Sequence, residues 1–274
     1  MSTTPAAAPP PQAAPAGETI VEFRDVWKRY ASKEILAGVN LKIFRGEVLC
    51  VLGPSGTGKS VTLRHINGLT PPDDGDVLVF GESIVGRTEE ELGPVRRRTA
   101  MLFQGGALFD SMNVEQNIAF PVQEHTDKSP EEISRIVAEK LQMVGLPGTQ
   151  NKMPSELSGG MRKRVALARS IALEPEIILY DEPTTGLDPV TSEKIAELMK
   201  DLNVRLKTTS VVVTHDIVTA RTVADRVAFL HQGRFQFVGT FSQAARTGHP
   251  VLQEYFRAMG FPCGTGTVPV MREI

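Results

Sequence analysis

Residues 53 to 60 read Gly-Pro-Ser-Gly-Thr-Gly-Lys-Ser, and this stretch decides the fold of the chain. It fits the pattern G-x-x-x-x-G-K-[ST], with both glycines, the lysine and the serine at the required positions. The apolar run before it, residues 48–52, predicts a buried strand, and residues 61–69 predict the start of a helix. A strand, a glycine-rich loop and a helix in this order indicate a phosphate-binding loop. An ordinary glycine-rich turn explains neither the lysine nor the serine.

The residue types of this loop suit an anion such as the phosphates of a nucleotide. Gly53, Gly56 and Gly58 allow the backbone to curl so that successive N–H groups point at one anion. The helix beginning near Lys59 adds its positive N-terminal end. We expect Lys59 to contact the β- and γ-phosphates and the hydroxyl of Ser60 to join a Mg²⁺ shell. The residues predicted to bind the nucleotide here are Gly53, Pro54, Ser55, Gly56, Thr57, Gly58, Lys59, Ser60 and Thr62.

Composition narrows the class of protein. A chain of 274 residues suits one large α/β domain or two closely joined lobes. Its 30 basic and 32 acidic residues leave a net charge of −2, so no strong field favours nucleic acid or an anionic surface as the main partner. The two cysteines, Cys50 and Cys263, are far apart in sequence. This usage is typical of a reduced, cytosolic protein without a disulfide framework or a cysteine metal site.

The ends of the chain predict no membrane span and no secretion signal. No apolar stretch approaches the length that a bilayer requires. Residues 1–18 are rich in proline and alanine and lack a continuous apolar segment, so we expect a disordered arm. At the other end, residues 252–259 predict a helix and the Pro/Gly-rich segment 261–269 predicts an arm. The tail from about residue 249 is a candidate contact with a neighbouring subunit. Any association with a membrane is therefore expected through partners.

The order of predicted elements indicates an α/β fold. Short strands at 20–23 and 41–43 precede the phosphate loop, and later strands alternate with helices. Between about residues 105 and 172 the pattern is helical, with Ser129-Pro130 forming an N-cap and a first-turn proline. We therefore predict a central, mostly parallel sheet, an antiparallel β layer and an inserted helical subdomain.

Two adjacent carboxylates follow the apolar strand 177–180. Ligands of open α/β sheets bind at the carboxyl edge of the strands, which is where Asp181 and Glu182 fall. Asp181 can hold Mg²⁺ through water, while Glu182 can polarise an attacking water molecule. Two solvated acids before a proline turn would be the simpler interpretation of an isolated Asp-Glu-Pro. A phosphate loop in the same chain favours the catalytic interpretation.

The segment 157–160, Leu-Ser-Gly-Gly, completes a series that resembles the ATP-binding-cassette ATPases from about Val21 to His231. The resemblance implies a P-loop domain with a RecA-like core over residues 19–248, with residues 249–274 as a C-terminal helix and tail. It implies that Ser158, Gly159 and Gly160 bind the γ-phosphate held by another copy. Two ATP molecules would then lie between head-to-tail subunits. Met161 departs from the more usual glutamine of this family, which we interpret as a mark of specificity.

The same resemblance implies roles for four further residues. Tyr30 would stack on adenine, and Gln104 would contact Mg²⁺ and the attacking water. Asp188, in Gly186-Leu187-Asp188, would belong to the loop that links the two active sites. His215 would sense the γ-phosphate. Taken alone, Tyr30 is more simply a surface tyrosine and His215 an ordinary polar residue at the end of a strand.

The segment after Gln104 contains apolar residues that could line a groove for a membrane subunit, or equally form the core of the helical subdomain. They are Leu108, Phe109, Met112, Val114, Ile118 and Phe120. The sequence of this region, together with the segment S-E-L-S-G-G-M-R-K-R-V-A-L-A-R, is similar to sequences of the ATPases of Mce-associated lipid transporters. That resemblance implies phospholipid transport, a permease dimer, an Mce-domain subunit and, in some members, a STAS-domain subunit. It also implies a peripheral place on the cytoplasmic face of the inner membrane.

Two alternatives stay open at this point. The same ATPase could serve a permease for amino acids or drugs, because the catalytic residues would not differ. A soluble, non-transport cassette acting on DNA or ribosomes is disfavoured by the absence of coiled-coil insertions, paired zinc-type cysteines or a basic patch. We therefore expect no nucleic-acid partner.

Overall fold

The computed structural model describes residues 17–31 and 33–261. The strands, in chain order, are β1 (Thr19–Tyr30), β2 (Lys33–Phe44), β3 (Val48–Leu52), β4 (Asp74–Val79), β5 (Glu82–Ser83), β6 (Thr99–Leu102), β7 (Ile177–Asp181), β8 (Thr209–Val213), β9 (Arg226–His231) and β10 (Arg234–Gly239). The helices are α1 (Lys59–Ile66), α2 (Glu89–Arg98), α3 (Val114–His125), α4 (Pro130–Met143), α5 (Gly159–Ser170), α6 (Pro189–Leu206), α7 (Ile217–Val223), α8 (Phe241–Arg246) and α9 (Pro250–Ala258).

The first sheet is the antiparallel layer, with strand order β2-β1-β4-β5. β1 and β2 are much longer than the short strands predicted at 20–23 and 41–43, because the chain continues through irregular positions where the register shifts. One of these lies at Asp25, whose φ is +48°. The inner face of this layer packs Val21, Phe23 and Val39 against the second sheet in one apolar core.

The second sheet has the order β10-β9-β3-β8-β7-β6, and all its pairings are parallel except that of the edge strand β10. Every residue of β3, β7 and β8 is buried, as expected for parallel strands covered on both faces. The predicted parallel sheet is confirmed. Because these strands are parallel, the segments that follow β3, β7 and β8 meet at one edge of the sheet.

Helices α3, α4 and α5 pack on one another and form the helical subdomain. The predicted start of α4 is confirmed, since Ser129 accepts a hydrogen bond from Glu132 N and the Glu132 side chain accepts one from Ser129 N. Of the six apolar residues that followed Gln104, Val114 and Ile118 are fully buried and belong to the core. Phe109 is 41% exposed. The core interpretation is therefore confirmed for Val114 and Ile118, and the groove for a membrane subunit stays a prediction.

One carboxylate joins the two layers near the start of β7. Glu176 accepts hydrogen bonds from Arg98 Nε at 2.6 Å and from Arg45 Nη1 at 2.7 Å. Arg45 also donates through Nε to Glu18 at 2.7 Å, so a residue assigned to the disordered arm by sequence is tied to β2. The Arg98 guanidinium further lies 3.6 Å from the centroid of the Phe80 ring. Arg98 mainly, and Arg45, hold the pKa of Glu176 below its usual value.

Among the helices of residues 17–31 and 33–261, none has both the length and the apolar composition that crossing a membrane requires. Cys50 is fully buried in β3, as predicted. The predictions for residues 1–16 and for the tail from residue 262, including Cys263, lie outside the described residues.

Candidate nucleotide-binding site

The phosphate loop follows β3 and leads into α1, as the sequence predicts. A Cβ atom at Gly53 would lie 2.3 Å from the backbone oxygen of Leu230, so the neighbouring strand leaves room for glycine only. The amine of Lys59 folds over the loop, donating to Gly53 O at 2.9 Å and to Pro54 O at 3.1 Å. Lys59 is 6% exposed, and its amine lies 3.9 Å from Glu182 Oε1. A lysine cation is thus enclosed at the position where the motif requires one.

Burial is the main influence on the pKa of Lys59. Loss of hydration lowers the pKa of its amine, and the nearby carboxylates of Glu182 and Asp181 oppose that effect. An anion placed in the loop would supply further negative charge close to this amine. The loop is therefore electrostatically suited to phosphate.

Ser60 and Asp181 come together from two different elements, the start of α1 and the end of β7. The Ser60 hydroxyl donates to Asp181 Oδ1 at 2.7 Å, and Asp181 is buried. A hydroxyl and a carboxylate are oxygen ligands of the kind that Mg²⁺ takes, usually with phosphate oxygens and water completing its shell. The residues present therefore fit this metal, with Ser60 and Asp181 as the groups that would hold it.

Glu182 occupies a conformation that its residue type disfavours, with φ at +49°. Its N–H donates to Val213 O at 2.9 Å, which fixes this backbone to β8. Its side chain lies 2.9 Å, through Oε2, from Nδ1 of His215, and it accepts from Thr185 Oγ1 at 3.3 Å. Strained backbone of this kind is concentrated at functional sites. The fold thus brings Glu182 and His215 together from the ends of adjacent parallel strands.

Gln104 follows β6 and is exposed, and its carbonyl accepts a hydrogen bond from the amine of Lys163. Lys163 is buried on α5, and burial lowers the pKa of this amine against the opposing charges of Asp181 and Glu182. Sequence reasoning missed Lys163. Its signal was a lysine on the same helical face as Ala166 and Leu167, which are both buried.

The signature residues open α5. Ser158 is exposed and caps the helix by accepting a hydrogen bond from Met161 N at 3.3 Å, while the Met161 side chain packs against the core. A Cβ at Gly160 would lie 2.7 Å from Thr191 Cγ2, so the signature packs closely on the start of α6. Asp188 is exposed and caps α6, accepting from Thr191 N at 3.0 Å. The structure thus places the signature beside the Asp188 loop of the same chain.

The remaining predicted residues are at the edge of this arrangement. Tyr30 ends β1 and is 47% exposed, with the Lys28 amine 5.5 Å from its ring centroid. Thr62 is buried on α1 and donates to Gly58 O at 3.2 Å. His215 and Leu187 both line a cavity of about 410 Å³ between α6 and α7. Their contacts with a nucleotide stay predictions.

Comparison with known proteins agrees with this geometry. Residues 36–185 match the family model described as ABC transporter. The chain is 44% identical over 235 residues to a probable ribonucleotide transport ATP-binding protein, mkl, of Mycobacterium leprae, covering 86% of this chain and 68% of the relative. It is 44% identical over 211 residues to the intermembrane phospholipid transport system ATP-binding protein MlaF of Escherichia coli, covering 77% of this chain and 78% of the relative.

A plant relative and a solved structure extend the comparison. The chloroplastic protein TRIGALACTOSYLDIACYLGLYCEROL 3 of Arabidopsis thaliana is 39% identical over 255 residues, covering 87% of this chain and 73% of the relative. The dimeric structure of an ATP-binding cassette in a post-hydrolysis state, bound to ADP and Pi, matches with a TM-score of 0.74 and 36% identity. It covers 80% of this chain and 98% of that one. The chain spans about two thirds of the length of the mycobacterial relatives.

Fold and site together define an ATP-binding cassette, a class of protein that hydrolyses ATP. The chain belongs to the ABC transporter family, as an ATP-hydrolysing subunit of a transporter.

Proposed function

We propose that this ATPase powers the movement of phospholipid, or of a related hydrophobic substrate, across the cell envelope through a partner permease. The observation that carries the proposal is its similarity to two relatives whose names refer to lipids: the phospholipid transport ATP-binding protein of E. coli and the Arabidopsis protein named after trigalactosyldiacylglycerol. The apolar segment after Gln104 lies within the part of the chain that aligns with each of these two relatives. The substrate itself would bind the permease.

A second candidate function, ribonucleotide transport, is supported by relatives of equal sequence identity. The mycobacterial relatives are named as probable ribonucleotide transport proteins, at the same 44% identity. Lipid transport is preferred because two relatives from unrelated organisms, a bacterium and a plant, carry lipid names. A permease for amino acids or drugs is a further alternative, which only the identity of the partner would exclude.

The site supports a division of labour during hydrolysis. Lys59 would neutralise charge on the β- and γ-phosphates, and Ser60 and Asp181 would hold Mg²⁺, with Gln104 completing its surroundings. Glu182 would orient the attacking water, and His215 would report the γ-phosphate. When bound, Mg²⁺ would supply further neutralisation of phosphate charge. What carries these roles is the set of contacts joining Ser60 to Asp181 and Glu182 to both Lys59 and His215.

The signature and Asp188 would act across a head-to-tail pair of chains. Ser158 is exposed at the N-terminus of α5, where its hydroxyl and the helix end could meet a phosphate held by another copy. Gly159 and Gly160 would let the phosphate approach the backbone. Asp188 would lie beside the partner's site, and Tyr30 would stack on adenine.

The proposed permease contact lies after Gln104. Phe109 is 41% exposed, rests edge-on against Phe120 with ring centroids 5.1 Å apart, and has the Arg169 guanidinium 5.5 Å from its ring. The buried Asn117 holds this loop by donating to Phe109 O at 3.1 Å. A rigid, half-exposed aromatic group suits insertion of a short helix from a membrane subunit.

The proposed assembly comprises two copies of this chain, a permease dimer, an Mce-domain subunit and, in some forms, a STAS-domain subunit. It would lie on the cytoplasmic face of the inner membrane and reach the bilayer only through the permease. Affinity purification of the tagged chain from membranes, followed by identification of the bound subunits, tests this composition. An amino-acid or drug permease in their place would refute the lipid assignment.

Transport is tested directly by reconstituting the purified complex in vesicles that contain a fluorescent phospholipid. We expect ATP-dependent transfer of the lipid to an acceptor, and no transfer by a complex carrying Glu182→Gln. A parallel assay follows a radiolabelled ribonucleotide. ATP-dependent ribonucleotide movement without lipid transfer would favour the second candidate instead.

A further inference from the structure

The final helix of the described residues, α9, is firmly attached to the core. Leu252 and Phe256 are fully buried, and Tyr255 is 6% exposed. The ring of Tyr255 packs on Phe229 with centroids 5.1 Å apart. Phe229 pairs in register with Leu52, the residue that immediately precedes the phosphate loop. A tyrosine from outside the matched family segment is therefore held beside that loop.

The hydroxyl of Tyr255 has a backbone partner in the loop that follows β8. It donates to His215 O at 3.1 Å. Burial raises the pKa of Tyr255 to about 12, and the backbone N–H of Gly53 opposes that effect. The phenol is consequently protonated at neutral pH, so it can donate to the carbonyl of His215.

The carbonyl that Tyr255 holds belongs to His215, which lies between the end of β8 and the start of α7. The His215 side chain is exposed, and its imidazole meets Glu182 Oε2 at 2.9 Å. The next residue, Asp216, caps α7 through Val218 N. Fixing the carbonyl of His215 therefore fixes where its imidazole lies relative to Glu182 and to the phosphate loop.

We propose that Tyr255 is a positioning residue for ATP hydrolysis, whose hydroxyl ties helix α9 to the backbone of His215. It does not contact ATP; it acts through the loop that carries His215. This inference rests on the proposed role of His215. A phenylalanine would keep the packing on Phe229 and lose the hydrogen bond to His215.

The test uses the full-length chain assembled with its permease. Tyr255→Phe should lower kcat for ATP hydrolysis about tenfold while the Kd for ATP changes less than twofold, because misplacement of a catalytic group affects the transition state more than ground-state binding. Thr126→Val is the matched control. It removes a hydroxyl that donates to Val122 O at 2.7 Å in the helical subdomain, far in sequence from the loop that carries His215.

The control should retain wild-type kcat even if both variants lose similar thermal stability. Wild-type kcat in Tyr255→Phe, or an equal loss in Thr126→Val, would overturn the inference.

A double-mutant comparison separates a positioning role from a structural one. If Tyr255 acts through His215, then adding Tyr255→Phe to His215→Ala should cause no further loss of kcat. Losses that multiply would overturn the inference. Wild-type hydrolysis in His215→Ala would refute the proposed role of the histidine, and this inference with it. Wild-type hydrolysis in Tyr255→Phe alone would refute only the inference and leave the histidine's role standing.

Discussion

Replacing Gly53 by alanine tests the geometry of the phosphate loop. The added Cβ would lie 2.3 Å from the carbonyl oxygen of Leu230 and 3.2 Å from Thr57 Oγ1. Van der Waals contact between carbon and oxygen needs roughly 1 Å more than the first distance. The oxygen belongs to the backbone of β9, which is paired with β3, so the loop must move instead. A displacement of about 1 Å can cost about 100-fold in rate.

We therefore expect Gly53→Ala to lower kcat/KM for ATP hydrolysis about 100-fold and to reduce stability by about 1–3 kcal/mol through overpacking. Steady-state phosphate release and urea unfolding measure the two effects. Gly56 has φ +75°, and no atom lies within 4 Å of a Cβ added there. Gly56→Ala therefore isolates the free-energy cost of placing a side chain on left-handed backbone. Gly248→Ala, in open space at ordinary φ, should be neutral. Wild-type hydrolysis by Gly53→Ala would refute the reasoning.

Glu182→Gln should bind ATP with wild-type affinity and abolish turnover, trapping a closed dimer that size-exclusion chromatography with ATP detects; turnover near wild type would contradict the role of this residue. Lys59→Ala should lose both ATP binding, measured by calorimetry, and hydrolysis. Lys163→Met should lower kcat several-fold with ATP binding retained, since it releases the carbonyl of Gln104; unchanged kcat would argue against coupling. Glu176→Gln should destabilise the fold at pH 7 by no more than about 1 kcal/mol, and less at about pH 3, in urea unfolding.

The sign of the last effect follows from the lowered pKa of Glu176. A carboxylate whose folded pKa lies below its usual 4.5 stabilises the native state above that value. Its contribution is lost as the pH falls through the folded pKa, because the unfolded chain then binds the proton more readily. A wild-type advantage over Glu176→Gln that grew on acidification would contradict this interpretation.

The sequence was sufficient to predict those features that depend on a local pattern of residues. The phosphate loop, the apolar strands and the N-cap at Ser129 are each specified by neighbouring residues, and the structure has them at the predicted places. The parallel sheet followed from the alternation of strands and helices, and with it the meeting of Asp181 and His215 at one edge. The structure then supplied the contact of His215 with Glu182.

Features that depend on distant contacts were not predictable. β1 and β2 run through irregular positions because hydrogen bonds to their partner strands hold them there. Strand propensity alone therefore predicted them too short. Lys163 and Tyr255 donate hydrogen bonds to backbone carbonyls 59 and 40 residues away in sequence. The spacing of Lys163 with Ala166 and Leu167 indicates burial, but no local pattern encodes a carbonyl partner so far along the chain. The left-handed conformation of Glu182 is equally invisible in an Asp-Glu-Pro sequence.

The carboxylate of Glu176 has a mechanical consequence. It forms ion pairs with Arg45, which follows β2, and with Arg98, which precedes β6. Glu176 immediately precedes β7, whereas Asp181 is the last residue of that strand. These ion pairs tie the antiparallel layer to the parallel sheet on the side remote from the phosphate loop. We expect them to oppose sliding of one layer over the other by no more than about 1 kcal/mol, because the side chains involved are partly exposed.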